Sequence, residues 1–198
     1  MKGRSFLHLL RFIFKLDLPD TQTTPQERTA LAKYAAGAGL AVEIGVFEGV
    51  NTVIISKALA NGGKLFGIDP FFKGRLGICY HKVIAQLHLK RNGVDKRVEI
   101  IEKLSFDAAD DVPEKVDFIF IDGDHSYEGI HKDWQVYAKL LKANGIMALH
   151  DTSIIAADGD WVQGSVRYYN DVIKHDERFE WITTVDRMNI LRRKSEKD

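Results

Sequence analysis

Leu40-Ala41-Val42-Glu43-Ile44-Gly45-Val46-Phe47-Glu48-Gly49-Val50-Asn51 is the stretch on which the reading of this 198-residue chain turns. An apolar run of strand length gives way to a turn with two glycines, and a helical pattern continues from Thr52 to Ala60. A glycine turn at a strand end lets backbone N–H groups and the next helix N-terminus approach a ligand with no Cβ in between. Glu43 is as informative as the glycines, because an acid at a strand terminus is poor core filler and a good acceptor for ligand N–H or O–H groups. Taken alone, the stretch reads equally well as a tight strand-to-helix connection. The next unit tips the balance: Lys64-Leu65-Phe66-Gly67-Ile68-Asp69 is a second short strand ending in an acid. Two successive strands closed by Glu43 and Asp69 describe a nucleotide-type pocket at the carboxyl edge of a parallel sheet.

The same alternation continues downstream. Residues 80–91 pattern as a helix, Asn92-Gly93 as a turn, and Val98-Glu99-Ile100-Ile101 as a third strand. Ser105-Phe106-Asp107 opens an expected helical crossover closed by Pro113. A fourth strand, Val116-Asp117-Phe118-Ile119-Phe120-Ile121, stays largely apolar until it stops at Asp122, where Gly123 allows a turn that displays Asp122, Asp124 and His125 together. A helix from Ser126 to Leu141 follows, then a turn at Ala143-Asn144-Gly145 and a strand over 146–149 that ends at His150-Asp151-Thr152. Short strands alternating with helices argue for an α/β sheet rather than a bundle. Asp122 and Asp151 fall at equivalent ends of neighbouring strands, near enough to share a hard cation. Two carboxylates that only cap loop N–H groups are the other reading.

Composition sets the bounds. One domain with a substantial apolar core is the simplest expectation for this length. Lys plus Arg equals Asp plus Glu at 28 each, and no basic block with interleaved aromatics stands out, so the balance gives no case for nucleic acid. Cys79 is the one cysteine, which points to a reducing, cytoplasmic setting; it has no convincing nucleophile pattern around it. Residues 1–23 are expected to form an N-terminal helix and linker. The helical part, over 5–16, is too short and too charged to span a bilayer, lacks a cleavage signature, and is expected to pack on the domain or on a second subunit, giving a homo-oligomer; a membrane-surface helix is the alternative. Thr24, Pro25 and Glu27 form a capping box for a helix reaching about Ala38. Beyond the last strand-end motif, Trp161 and Tyr168 are candidate acceptor-facing residues, with helix packing as the other fate of Tyr168. Residues 162–174 are expected to be helical, residues 179–185 and 188–191 a terminal antiparallel hairpin, and 193–198 a charged tail.

These motifs carry a resemblance. Val42-Glu43-Ile44-Gly45-Val46-Phe47-Glu48-Gly49, Gly67-Ile68-Asp69, Phe120-Ile121-Asp122-Gly123-Asp124-His125-Ser126-Tyr127 and Leu149-His150-Asp151-Thr152, in that order within residues 24–192, resemble the class I S-adenosylmethionine-dependent methyltransferases. The similarity is greatest to metal-dependent small-molecule O-methyltransferases and to the sugar and antibiotic O-methyltransferase group. The resemblance implies a Rossmann-like seven-stranded sheet with helices on both faces, occupying residues 24–192. It implies S-adenosylmethionine bound by Glu43, Gly45, Phe47, Gly49, Asn51, Asp69, Ser105 and Asp122, with Asp69 on the ribose hydroxyls and Ser105 at the adenine edge. It also implies Mg²⁺ held by Asp122 and Asp151, with Thr152 as third ligand. The chain departs from the pattern at two ligand positions: the catechol-like branch has asparagine where this chain has Thr152, and the sugar-modifying branch has glutamate where it has His150.

The residue chemistry supports the same direction. Methyl transfer to oxygen needs alignment of donor and acceptor and a destination for the acceptor proton. His125 falls where the family often places a basic lysine, and His150 is the second candidate base, since histidine titrates near neutrality. A hydroxyl of a small molecule is the expected acceptor. Two other functions stay in view: a noncatalytic cofactor-fold scaffold, and an NAD-dependent oxidoreductase. Phe47 weighs against the latter, because it occupies the middle glycine position of the dinucleotide fingerprint.

Overall fold

The computed structural model describes residues 6–74, 77–154 and 163–195. Within them the chain runs α1 (Phe6–Ile13), α2 (Pro25–Ala35), β1 (Leu40–Ile44), α3 (Val50–Ala58), β2 (Lys64–Ile68), α4 (Tyr80–Arg91), β3 (Val98–Ile101), β4 (Val116–Ile121), α5 (Tyr127–Leu140), β5 (Leu141–Leu149), α6 (Gly164–Asp171), β6 (Phe179–Val185) and β7 (Met188–Arg193). The strands form one seven-stranded sheet in the order β3-β2-β1-β4-β5-β7-β6. The first five are parallel, and β7 runs antiparallel to both β5 and β6, giving the expected terminal hairpin.

Side-chain alternation along the buried strands builds two cores. Phe118 and Phe120 pack with Ala41, Leu65 and Ala148 beneath Leu31 of α2 and Ile55 of α3. Ile119 and Ile121 point the other way and join Val42, Phe66 and Ile68 beneath Trp134 and Tyr137 of α5 and Tyr168 of α6. A parallel sheet covered on both faces requires such continuous apolar strands.

Some expected elements differ. The crossover after β3 is two 3₁₀ turns, Ser105–Asp107 and Ala109–Asp111, rather than an α-helix. Pro113 leaves too short a run to offset the cost of nucleating a helix. The Ala143-Asn144-Gly145 turn lies inside β5 as an irregularity, since Val116 pairs with Leu141 and Phe118 with Ile146. The capping box of α2 forms as read: Glu27 N–H donates to Thr24 Oγ1 at 3.1 Å and Thr24 N–H to Glu27 Oε2 at 2.8 Å. α2 ends at Ala35, before Gly37 turns left-handed at φ +77°.

α1 buries Leu9 and Phe12 against Ile84 of α4, and Arg91 of α4 donates to the last carbonyls of α1, Phe12 O at 3.0 Å and Ile13 O at 2.9 Å. Its other face exposes Phe6 and Leu7, as the following residues expose Phe14, Leu16 and Leu18. Among the described residues no helix is long and apolar enough to cross a membrane.

The tightest backbone constraint is where β1 ends. Gly45 has φ +90°, and a Cβ there would stand 2.1 Å from the carbonyl oxygen of Asp122. Gly45→Ala therefore combines a left-handed strain with a backbone collision. Urea unfolding should show a loss of about 2–4 kcal/mol; a loss below about 0.5 kcal/mol would show that the two strand ends separate freely.

Candidate active site at the carboxyl edge of the sheet

A cavity of about 620 Å³ opens over the ends of β1, β2 and β4. Its wall on the β1 side is the glycine turn, held from beneath by Asp69. Asp69 Oδ2 accepts from the backbone N–H groups of Val46 at 3.1 Å and Phe47 at 2.9 Å, and Oδ1 accepts from Phe71 at 2.8 Å. Phe47 (φ 52°) and Phe71 (φ 42°) both hold left-handed backbone, uncommon for bulky side chains, and the carboxylate secures both. These bonds fill both lone-pair sites of Oδ2, and Oδ1 keeps acceptor capacity toward the cavity that Asp69 lines.

The sequence-predicted cofactor residues divide into two groups. Gly45, Phe47, Asn51, Asp69, Ser105 and Asp122 line the cavity. Gly49 acts one step back, starting α3 with φ 79°, and Glu43 lies beneath the floor with no solvent exposure. Neither Glu43 oxygen has a hydrogen-bond partner. Burial pushes its carboxyl well above the usual range, and the charges of Asp122 and Asp69 push the same way. The Thr52 hydroxyl beside it opposes this, more strongly than either aspartate adds to it, although it is not aligned for a full hydrogen bond.

At the far end, Ser105 Oγ donates to Asp133 Oδ1, and Tyr137 OH donates to the Ser105 carbonyl at 2.7 Å. Asp133 is buried, and desolvation raises its carboxyl to about 6. Sequence reasoning did not single it out, although the signal was present: it is an acid on the helix stripe that otherwise buries Ile130, Trp134 and Tyr137.

The rim between β4 and β5 gathers the charged groups. His125 Nε2 stands 3.8 Å from Asp122 Oδ1 and 3.7 Å from Asp151 Oδ2. His150 Nδ1 lies 2.9 Å from Asp122 Oδ1, an ion-pair contact rather than an aligned hydrogen bond, and 3.8 Å from Asp151 Oδ2. Its Nε2 faces Glu27 Oε2 at 3.3 Å. Burial alone would lower the His150 pKa, but Asp122, Glu27 and Asp151 together raise it to about 10. The surrounding carboxylates therefore favour the charged form of His150. His125 sits partly exposed at the mouth.

Asp122, His125 and His150 present ligand atoms within 4.8 Å of one another. For a divalent cation, Asp122 and Asp151 supply hard carboxylate oxygens of the kind Mg²⁺ takes. Thr152 is not brought into this group. Its hydroxyl donates to Leu149 O at 2.7 Å, Asn189 Nδ2 donates to it at 3.0 Å, and it is 1% exposed. Tyr168 also points inward, with its OH 3.0 Å from His131 Nδ1, while Trp161 lies outside the described residues. Glu27 was legible only as a helix cap; that it also supports His150 and accepts from Arg187 N–H at 3.0 Å depends on contacts between distant parts of the chain.

Comparison with solved structures agrees with this geometry. Cofactor-bound Rv0187 from MTB aligns with a TM-score of 0.72 at 18% identity, covering 99% of this chain and 93% of that one. An O-methyltransferase from Bacillus cereus in complex with SAH aligns with a TM-score of 0.68 at 21% identity, over 98% of this chain and 94% of the other. The O-methyltransferase TomG from Streptomyces achromogenes, involved in tomaymycin synthesis and solved with SAM, gives 0.67 at 18% identity over 98% and 93%. These likenesses show a shared fold. An uncharacterized protein, R132, of Acanthamoeba polyphaga mimivirus is 32% identical over 122 residues, 56% of this chain; the chain spans about half the length of that curated relative, 50%. The family described as "Methyltransferase domain" matches residues 42–152, from the middle of β1 to the rim behind Asp151. The chain belongs to this methyltransferase-domain family.

Proposed function

We propose that the protein transfers a methyl group from S-adenosylmethionine to a hydroxyl oxygen of a small molecule. The observation that carries this reading is the meeting, in one cavity, of the Asp69-braced glycine turn with the Asp122–His125 rim. In this reading Asp69 accepts from the ribose hydroxyls, and the Asp133–Ser105 pair receives the adenine amine. The buried oxygens of Glu43, which lack an aligned hydrogen bond, lie below the turn, where the methionine end of the cofactor would approach them. The cofactor supplies a methyl on a positively charged sulfur; as the S–CH₃ bond breaks and the O–CH₃ bond forms, the acceptor proton passes to His125 Nε2. Asp122 and Asp151 would hold Mg²⁺, which would favour the acceptor's anion. His150, whose charged form the neighbouring carboxylates favour, would place positive charge beside the acceptor and stands second to His125 as a base.

Calorimetry with S-adenosylhomocysteine tests the cofactor assignment. Asp69→Asn should weaken binding by about 1.5–3 kcal/mol while circular dichroism confirms the fold; unchanged affinity, or a preference for NAD, would sink it. A thermal shift with the cofactor and no turnover on any hydroxylated acceptor would favour a scaffold.

Asp133 gives a pH signature. Its pKa is higher in the folded state, about 6 against an ordinary 3.8, so its contribution to stability is present below 3.8 and is lost as pH rises through 6. Relative to wild type, Asp133→Asn should therefore gain stability by about 3 kcal/mol between acid and slightly alkaline pH. Urea midpoints that shift in parallel for the two proteins would refute the burial argument.

The rim roles separate by substitution. Asp122→Asn and Asp151→Asn should lower Mg²⁺ affinity and transfer rate together. His125→Ala should keep the metal but slow transfer by about 10²-fold, with the residual rate rising with pH. Full activity after exhaustive EDTA treatment would reject the metal role, and an unaltered rate in His125→Ala would reject the base.

A further inference from the structure

α1 is apolar on two faces and packs with only one of them. Leu9 and Phe12 go down onto Ile84 of α4. At about 100° per residue, Phe6, Leu7 and Phe14 share the opposite arc, and they are exposed to 57%, 61% and 69%. Beside them the Tyr80 ring of α4 lies 6.2 Å from the ring of Phe6, and neighbouring Ile78 is exposed as well. The helix stops in a Schellman turn: Leu16 N–H donates to Arg11 O at 2.8 Å and Lys15 N–H to Phe12 O at 3.0 Å, with Lys15 left-handed at φ 59° where glycine is usual. The apolar residue that follows such a turn commonly packs back on its helix. Here that residue, Leu16, is 66% exposed, and Leu18 beyond it 83%.

Charge decides what covers this face. Residues 2–16 carry Lys2, Arg4, Arg11 and Lys15 and no Asp or Glu, in a chain whose cations and acids balance at 28 each. The next acid along the chain, Asp17, is taken by Arg11 and His8. A two-fold contact with a second copy would lay the patch on itself, so that cations meet cations. A head-to-tail contact would need an acidic apolar patch elsewhere. Among the described residues Phe72, Leu104 and Phe106 line the cavity instead, and Ile154, Val172 and Trp181 project from separate segments. Anionic headgroups with hydrocarbon beneath them match both properties of the patch at once. We propose that the outer face of α1, continued by Leu16 and Leu18, docks the protein on an anionic lipid bilayer, lying in the interface without crossing it. Eight helical residues are too few to span a bilayer. The apolar side chains enter the boundary below the headgroups, and Lys15 reaches back to them along its own aliphatic stem. Leu18 stands two residues before Asp20, which lines the cavity, so the docked edge runs straight into the cavity wall.

Vesicle flotation of the full chain tests this, with phosphatidylcholine vesicles set against vesicles in which about one-third of the lipid is phosphatidylserine. Wild type should float with the anionic vesicles, remain behind with the neutral ones, and release as salt is raised. Partitioning should fall about fivefold in Lys15→Gln and about 100-fold in the Leu7→Glu/Phe14→Glu double variant. All three side chains are exposed, and circular dichroism checks the fold; should the double variant unfold, Leu18→Glu carries the same readout. Light scattering without lipid should give a monomer for wild type. Failure to float with anionic vesicles, equal flotation with neutral ones, or unchanged partitioning of the folded glutamate variants would each overturn the proposal. A lipid-free dimer that Leu7→Glu/Phe14→Glu dissociates would overturn it too, and would give the face to a second copy of the chain.

Discussion

The ends of β1 and β4 can touch only because residue 45 carries no side chain. With any Cβ at Gly45 colliding with the Asp122 carbonyl, the two strands would have to part where the cavity begins. Their approach sets the distances that matter for chemistry. It brings the glycine turn, shaped by Asp69, beside Asp122, and through the β4–β5 pairing it brings His150 and Asp151 to the same rim. Gly45 N–H completes the ladder to Ile68 O at 2.9 Å, so the turn is fixed to β2 as well. A cofactor cavity and a reactive rim are then two consequences of one backbone contact.

That contact crowds acids, and the protein handles each of them differently. Burial pushes the carboxyl of Glu43 well above the usual range. Asp69 accepts from three backbone N–H groups that it helps to order. Glu27 receives two backbone N–H groups as well as His150, which holds its carboxyl below the usual range although burial alone would raise it. Asp122 and Asp151 share His150 and His125, with Arg187 Nε 4.0 Å from Asp151 Oδ1. Asp151 itself has a left-handed backbone (φ 50°), strain at a position where the side chain must turn back over the sheet edge.

The strands were legible because their period and their terminal acids are local properties. β1, β2 and β3 follow the apolar runs, and Tyr80–Arg91 is the helix the pattern describes. Local reading failed where one segment serves another. Residues 105–111 carry helix-like spacing, yet they are bent into 3₁₀ turns that deliver Ser105 to Asp133. Glu27 reads as a cap and is one, but its second role depends on β5 and on the β6–β7 turn, more than a hundred residues away. Thr152 has the sequence position of a ligand, yet its hydroxyl is drawn inward by Asn189 of the antiparallel strand. That Asp20, Thr21 and Gln22 line the cavity was invisible for the same reason, since nothing in residues 17–22 states that the Asp20 N–H binds Glu48 of the glycine turn.

His150 shows why a shared fold leaves the chemistry to be argued residue by residue. The resemblance to the sugar-modifying branch implies glutamate at this position, an anionic ligand; here the position is a histidine backed by the buried Glu27, and the carboxylates around it favour its charged form. Exchanging an anionic group for one whose charged form is positive weakens the pull on a divalent cation, while Asp122 and Asp151 still offer two carboxylates. In the proposed reaction that positive charge would favour an acceptor oxygen that is losing its proton, which is part of what the metal would do.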